Sequence, residues 1–154
     1  MKSKLVSLVI ILAGLSLATF AQAQGSLEGA WQLQELRISG SPNEGTNADP
    51  DLHLLFFTGR HYSRIVNFAA RPNVSQGGPV TDEDRIANYI TFRANSGTYE
   101  VSGSKLMLHF MLALNPAAVG FTEEVEYRIE GDKLIITATP DVDVVTRRTY
   151  TRLD

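Results

Sequence analysis

Apolar and polar residues alternate along much of the chain, most regularly between Phe121 and Glu130. Successive residues of an extended strand point to opposite sides, so this segment divides into two faces. The apolar face holds Phe121, Val125, Tyr127 and Ile129, and the polar face holds Thr122, Glu124, Glu126, Arg128 and Glu130. A strand with one dry and one wet face is typical of an antiparallel sheet.

Other short runs of β-prone residues, separated by turn-forming residues, bring the number of predicted strands to about eight. The runs cover residues 31–38, 52–57, 61–68, 98–101, 105–114, 121–130, 133–139 and 142–153. Thr58-Gly59-Arg60 is a three-residue connection containing glycine, which predicts a hairpin between the second and third runs. Residues 39–51 and 71–80 are rich in turn-forming residues and predict two loops.

One segment has helical rather than strand spacing. Thr81 offers a hydroxyl N-cap and is followed by three acidic residues, which a helix favours in its first turn. Ile86, Tyr89, Ile90 and Arg93 then recur at helical intervals and predict a helix over residues 82–94. We interpret this helix as a lid or plug that packs through Ile86 and Ile90.

The strand pattern predicts an all-β fold: an eight-stranded antiparallel up-and-down barrel with one short helix. A two-sheet sandwich has similar strand spacing. The long final strand favours the barrel, because that strand must pair with both its neighbour and the first strand. The interior of such a barrel is either filled by side chains or holds one small ligand.

The N-terminus resembles a secretory signal peptide rather than part of the fold. Lys2 and Lys4 precede an apolar stretch of 16 residues, and Ala21-Gln22-Ala23 has the small residues that signal peptidase requires. The stretch is shorter than the roughly 20 residues of a membrane-spanning helix, although an uncleaved anchor is the alternative. We expect residues 1–23 to be removed and residues 24–154 to form a single domain, exported to the periplasm or secreted.

Composition narrows the classes of function. Loss of Lys2 and Lys4 changes the net charge from −3 to −5, which predicts no binding to nucleic acid or to an anionic membrane surface. Because the apolar stretch is too short to span a membrane, we also expect no stable membrane insertion. The chain has no cysteine, so the domain forms no disulfide. His53, His61 and His109 lack metal-ligand spacing, and no nucleophile motif or phosphate loop occurs. We therefore predict no metal, no cofactor and no assigned catalytic residue.

Several ordered motifs resemble the bacterial lipocalin-like domain family. They are Gly29-Ala30-Trp31-Gln32-Leu33, Gly59-Arg60-His61-Tyr62-Ser63, Ala94-Asn95-Ser96-Gly97-Thr98-Tyr99-Glu100-Val101, His109, Asn115-Pro116 with Gly120, and Tyr127-Arg128-Ile129-Glu130-Gly131-Asp132-Lys133-Leu134. The resemblance covers nearly the whole mature chain and implies a small calycin-type barrel that binds a ligand. The loop at residues 39–51 is more polar than the family pattern. In lipocalins a Gly-x-Trp tryptophan closes the base of the barrel beneath an arginine of the last strand, a role that the resemblance assigns to Trp31 and Arg152.

Arg148 and Tyr150 share the face of the last strand that also carries two valines, so we expect both to point inward. A guanidinium beside a phenol can hold a carboxylate, and this stretch resembles the Arg-x-Tyr of fatty-acid-binding proteins. The alternative is an Arg148 that pairs internally with Glu35 or Glu123.

Three further residues are candidate ligand contacts. Glu35 shares strand parity with Trp31 and is expected to face the lumen, where it would pair with Arg148 or act as a general base. His109 lies among methionines that would suit an adaptable pocket lining, or it is an ordinary core or edge residue. Tyr127 lies on the apolar face of its strand.

These residues favour a non-enzymatic carrier of a small hydrophobic or amphipathic ligand, of which a carboxylate is one candidate. One alternative is an isomerase or cyclase that transfers protons through Glu35, His109, Tyr127 and Tyr150. Another is a protein-binding or inhibitor module that uses the loops at residues 39–51 and 69–80. The sequence does not indicate the oligomeric state.

Overall fold

A computed structural model describes residues 26–40, 42, 44–47, 52–68 and 78–153. The expected signal peptide at residues 1–23 lies outside the described residues, as do parts of the two predicted loops. The strands are β1 (Gly29–Ser39), β2 (Gly45–Asn47), β3 (His53–Thr58), β4 (His61–Asn67), β5 (Phe92–Ser102), β6 (Lys105–Ala113), β7 (Thr122–Glu130), β8 (Lys133–Asp141) and β9 (Val144–Leu153); helix α1 is Asp82–Ile90, and a short 3-10 helix is Pro116–Ala118.

Eight strands, β1 and β3 to β9, form a closed antiparallel barrel in which each strand pairs with the next along the chain. Closure comes from β1 and β9, which pair from Ala30 opposite Leu153 to Ser39 opposite Val145. The predicted fold class is therefore confirmed, and the sandwich alternative is wrong. The extra strand β2 lies in the predicted loop and pairs with residues 36–38 of β1.

The register of β1 shifts once along its pairing with β9. Leu33 lies opposite Tyr150, but Glu35 lies opposite Thr149, so Gln34 is an extra residue in β1. An extra residue of this kind is a β-bulge, and it reverses which side of the sheet the following residues face. The inward residue after Leu33 is consequently Leu36, which lies opposite Arg148.

The interior differs between the two ends of the barrel. We define the base as the end where β1 begins and β9 ends, and the mouth as the opposite end. Large, fully buried side chains fill the base and the middle of the barrel: Trp31, Leu55, Leu106, Leu108, Leu134 and Tyr150. Towards the mouth, the inward positions of β4, β7 and β9 carry Arg64, Glu123 and Arg148, and the interior there is not filled.

Helix α1 starts where the sequence predicts it to start. The Thr81 hydroxyl accepts a hydrogen bond from the backbone N–H of Asp84, whose carboxylate in turn accepts from Thr81, so the two residues form a capping box. Hydrogen bonding to Thr81 lowers the pKa of Asp84. Among the residues that the structure describes, no helix has the length and apolar character needed to cross a membrane.

The predicted end of the helix and its packing are wrong. The helix ends at Ile90, and residues 92–97 belong to β5, where they pair with β4. The side chains of Ile86 and Ile90 are more than half exposed, so they do not pack as a lid or plug. The helix contacts little besides β5.

Candidate functional site

Trp31 and Arg152 close the base of the barrel. They are directly opposite each other on β1 and β9, and the guanidinium carbon of Arg152 lies 4.1 Å from the centroid of the indole ring. Trp31 is fully buried and donates its indole N–H to the carbonyl of Leu27 at 2.9 Å. This is the arrangement that the lipocalin resemblance implied for the two residues.

Gly29 makes room for this closure. Its φ of 134° is accessible to glycine but rarely to other residues, and a Cβ at this position would overlap Nη1 of Arg152. Arg152 uses the space to donate hydrogen bonds to the carbonyls of Ser26 and Glu28. Glycine is thus needed at position 29 of the Gly-x-Trp motif, because the side chain of Arg152 occupies the space that a Cβ would fill.

The interior near the mouth contains a cavity of about 400 Å³. Part of its wall is apolar and comes from Leu33, Leu36, Val66 and Phe68. The cavity reaches the surface where Phe68 and Arg93 are exposed, and Arg93 lies over the Phe68 ring at 5.3 Å. A cavity of this size falls at the lower end of the roughly 300–1,000 Å³ of small-molecule sites.

The cavity also holds an internal ion pair. Arg64 on β4 and Glu123 on β7 approach to 2.8 Å, and their side chains are only 18% and 22% exposed. Because β5 and β6 separate these two strands in the barrel, the pair crosses the interior instead of joining neighbouring strands. The Arg64 guanidinium also lies 5.5 Å from the ring centroid of Phe110.

Arg148 lines the same cavity but forms no ion pair with any described carboxylate. It points inward between Leu36 of β1 and Ile136 of β8, as the strand parity predicts. The internal partners considered from the sequence, Glu35 and Glu123, are paired with Arg37 and Arg64 instead. The inner part of the cavity therefore contains one cation without a counter-ion among the described residues, while Arg93 lies at the exposed rim.

His53 and Tyr150 lie beside these charges. The Tyr150 hydroxyl is 3.3 Å from Nε2 of His53, and the two rings meet edge to face at 5.2 Å. Burial, followed by the positive charges of Arg64 and Arg148, lowers the pKa of His53 to about 3, so its ring is neutral at physiological pH. Burial raises the pKa of Tyr150 to about 12. His53 therefore contributes a polar but uncharged ring to the cavity wall, and Tyr150 contacts that ring from below.

The prediction that Glu35 faces the lumen is wrong. Its carboxylate lies outside the barrel, 3.6 Å from Arg37, and both side chains are substantially exposed. The cause is the bulge at Gln34, which moves Glu35 to the outer face and places Leu36 inward. The expected pair between Glu35 and Arg148 is consequently not formed.

His109 is also on the outer face. Its Nδ1 lies 2.9 Å from the Thr122 hydroxyl, and its Nε2 lies 3.8 Å from the carboxylate of Glu100. The inward positions of β6 belong to Leu106, Leu108 and Phe110, which are all buried. The expectation that His109 lines the pocket is therefore incorrect, and in the described part of the chain no group of His, Asp or Glu side chains is arranged to hold a metal ion.

The two tyrosines predicted as ligand contacts are buried but differ in position. Tyr150 lies below the cavity, where its hydroxyl reaches His53. Tyr127 points inward nearer the base and belongs to the packed core. Burial raises its pKa, but it does not line the cavity. The structure thus brings Arg148 and Tyr150 to the same region and leaves Glu35, His109 and Tyr127 away from it.

Sequence reasoning missed His53 and Arg64 as cavity residues. The signal was present in both cases, because His53 shares strand parity with Leu55 and Phe57, and Arg64 shares it with Tyr62. A titratable residue among the buried positions of a strand indicates a polar site inside a barrel. From the sequence, Glu123 was considered only as an alternative ion-pair partner of Arg148 and not as a residue that lines the cavity.

A second, smaller cavity of about 260 Å³ lies between helix α1, the start of β5 and the 3-10 helix. Its wall is mainly apolar and includes Tyr89, Phe92, Phe110 and Leu114. Arg64 and Arg93 line both cavities, so the two spaces are adjacent. Together they provide a charged compartment next to an apolar one.

Comparison with known proteins assigns no family. No protein family model matches the chain, and no curated protein matches it. A crystal structure of an uncharacterized protein from Bacteroides eggerthii DSM 20697 is similar, with 11% identity and a TM-score of 0.48 over 83% of this chain and 100% of that one. What the structure itself establishes is a closed eight-stranded antiparallel barrel with a partly polar cavity near its mouth.

Proposed function

We propose that this chain is an exported, lipocalin-like binding protein whose barrel holds a small amphipathic molecule with a carboxylate headgroup. The observation that carries the proposal is Arg148, an inward cation in a cavity of about 400 Å³ with no described counter-ion. An arginine beside apolar walls is suited to a carboxylate because its planar guanidinium can donate two parallel hydrogen bonds.

The apolar part of the ligand has room beside this headgroup site. Leu33, Leu36 and Val66 line the main cavity, and the adjacent smaller cavity is lined mostly by aromatic and aliphatic side chains. Burial of apolar surface supplies roughly 25 cal/mol per Å², so an aliphatic or aromatic tail would add affinity to the ionic contact. The proposed ligand is therefore a compact apolar acid.

Calorimetric titration with decanoate tests the proposal. We expect binding by the mature domain, and we expect Arg148→Met to weaken it at least about ten-fold, since a charge-assisted hydrogen bond contributes about 1.5–3 kcal/mol. Arg147→Met is the matched control, because Arg147 lies next to Arg148 but faces outward on β9. Equal effects of the two substitutions, or no binding of decanoate, would rule out a carboxylate site at Arg148.

Export is the second part of the proposal and is supported by the leader-like N-terminus. Lys2, Lys4 and the apolar stretch precede Ala21-Gln22-Ala23. Expression of the full chain in a bacterial host with an intact secretion system should yield a periplasmic product whose N-terminus is Gln24. A cytoplasmic product that retains Met1 would contradict it.

A further inference from the structure

We propose that Glu123 determines the charge of the ligand: it is an internal counter-anion that neutralises Arg64 and so restricts the cavity to ligands with one negative charge. This inference rests on the proposed function, because it assumes that the cavity binds an anion. It goes further by naming a specificity-determining residue that does not need to touch the ligand.

The first support is the geometry of the ion pair. The carboxylate of Glu123 lies 2.8 Å from Nη1 of Arg64, and both side chains are mostly shielded from water. Both residues line the cavity that also contains Arg148. The pair therefore lies in the same space as the proposed headgroup site.

The second support is the balance of charge inside the barrel. The interior cations are Arg64 and Arg148, and Glu123 is the one carboxylate among the described residues that line the cavity. Arg93 also lines the cavity, but it is exposed at the rim over Phe68. The inner part of the cavity thus has one positive charge without a partner, which one carboxylate would neutralise.

A second negative charge on a ligand held by Arg148 would find no free cation in the inner part of the cavity, because Arg64 is paired with Glu123 and Arg93 lies at the exposed rim. It would have to displace Glu123 from Arg64 or remain unpaired, and an unpaired charge is unfavourable where the surrounding side chains are mostly buried. Glu123 would therefore discriminate against dianions by repulsion rather than by contact with the preferred ligand, which is one way in which proteins achieve specificity.

The same arrangement predicts what happens when Arg64 is removed. Glu123 would then be an unpaired carboxylate in the cavity, where it could neutralise Arg148 and compete with the ligand. Burial raises the pKa of Tyr150, and the charges of Arg148, Arg64 and Glu123 act on the same hydroxyl, so the three groups lie close enough to influence one another. Arg64 and Glu123 should therefore act on ligand binding as a coupled pair.

The test compares two ligands that differ by one carboxylate. Decanoate and octylmalonate have the same ten-carbon chain, but octylmalonate has a second carboxylate at its second carbon, and at about pH 8 it is a dianion. Calorimetry should show that the unaltered protein binds decanoate at least about ten-fold more tightly than octylmalonate. Glu123→Gln, which keeps the shape of the side chain, should remove this preference or reverse it.

Glu124→Gln is the matched control. It makes the same change of net charge on the adjacent residue, which faces outward and pairs with Lys105. We expect this variant to keep the preference of the unaltered protein for decanoate. Equal responses of the Glu123 and Glu124 variants would overturn the proposal, because net charge alone would then account for both.

A double-mutant cycle tests the coupling and checks that folding is not the cause. Arg64→Gln should weaken decanoate binding at least about ten-fold, and Arg64→Gln combined with Glu123→Gln should restore it. A variant that is merely unfolded would not regain binding through a second substitution, and far-UV circular dichroism gives an independent check. If the double variant binds no better than Arg64→Gln alone, Glu123 does not act as the internal counter-anion.

The outcomes separate this inference from the proposed function. Decanoate binding that depends on Arg148 but is indifferent to Glu123 would preserve the binding site and overturn the charge selection. Absence of decanoate binding to the unaltered protein would overturn both.

Discussion

The guanidinium of Arg152 lies over the indole ring of Trp31, 4.1 Å from its centroid, and donates to two carbonyl groups of the segment that precedes β1. One side chain thus contacts the first strand, the last strand and the chain entering the barrel. The barrel is thus closed by contacts between residues that are more than 120 positions apart in sequence. The relationship suggests that Arg152 stabilises the closed barrel more than a surface arginine would.

Replacement of Arg152 by alanine should lower the free energy of unfolding by about 2–4 kcal/mol. The change removes a cation–π contact that contributes roughly 0.5–2 kcal/mol and charged hydrogen bonds to Ser26 and Glu28. Urea unfolding monitored by the fluorescence of Trp31 measures the effect. Arg147→Ala, on the outer face of the same strand, should change stability by less than about 1 kcal/mol; a similar loss in both variants would contradict the role of Arg152.

A second prediction concerns Gly29, which has a φ of 134° and no space for a Cβ beside Arg152. Gly29→Ala should destabilise the protein by about 1–3 kcal/mol, because the backbone strain adds to displacement of the arginine. Gly45→Ala is the control, since a Cβ there would meet nothing within 4 Å. Thermal unfolding compares the two variants, and a shift in melting temperature no larger for Gly29→Ala than for Gly45→Ala would show that the motif glycine is not required for closure.

The alternation of apolar and polar residues predicted the barrel well, because successive residues of a strand face opposite sides of the sheet. The alternation of β7 and the parity of β9 were sufficient to place Tyr127, Arg148 and Tyr150 inward. The pairing of Trp31 with Arg152 followed from a resemblance in short motifs at the two ends of the chain. These features depend on local sequence pattern, which is why they could be predicted without coordinates.

The incorrect predictions concern features that are set by the pairing between strands rather than by the local sequence. A single extra residue at Gln34 reverses the faces of β1, and nothing in the local sequence marks it. The outer face of β6 carries Met107 beside His109, so hydrophobicity alone does not distinguish its two sides. Residues 92–97 lack strand alternation, and their extended conformation follows from hydrogen bonding to β4 and β6.

His53 should make stability depend on pH. Its pKa is about 3 in the folded protein and about 6.5 when unfolded, so between these values the unfolded chain binds more protons. Stability therefore falls as the pH decreases below about 6.5, by about 2 kcal/mol between pH 7 and pH 5. Urea unfolding at a series of pH values should show this slope.

Other groups also gain protons in this pH range, so the test compares the pH dependence of stability between histidine variants and the unaltered protein. His53→Gln should reduce the loss of stability between pH 7 and pH 5, whereas His61→Gln should leave it unchanged because His61 is exposed. If the two variants have the same pH dependence as the unaltered protein, His53 is not buried as a neutral ring beside Arg64 and Arg148.

The last prediction concerns the energetic consequence of leaving Arg148 without a counter-ion. An inward cation near Arg64 and among apolar side chains disfavours folding through desolvation and repulsion, and functional sites commonly reduce stability in this way. Arg148→Met should therefore raise the free energy of unfolding of the ligand-free protein by about 1 kcal/mol while weakening decanoate binding at least about ten-fold. The same concentration of decanoate should raise the melting temperature of the unaltered protein more than that of this variant. Arg147→Met, which removes a charge from the outer face, should not raise the free energy of unfolding, and decanoate should still raise its melting temperature as in the unaltered protein. A loss of stability in Arg148→Met would mean that the guanidinium is satisfied within the empty barrel, and the argument for a carboxylate at this position would fail with it.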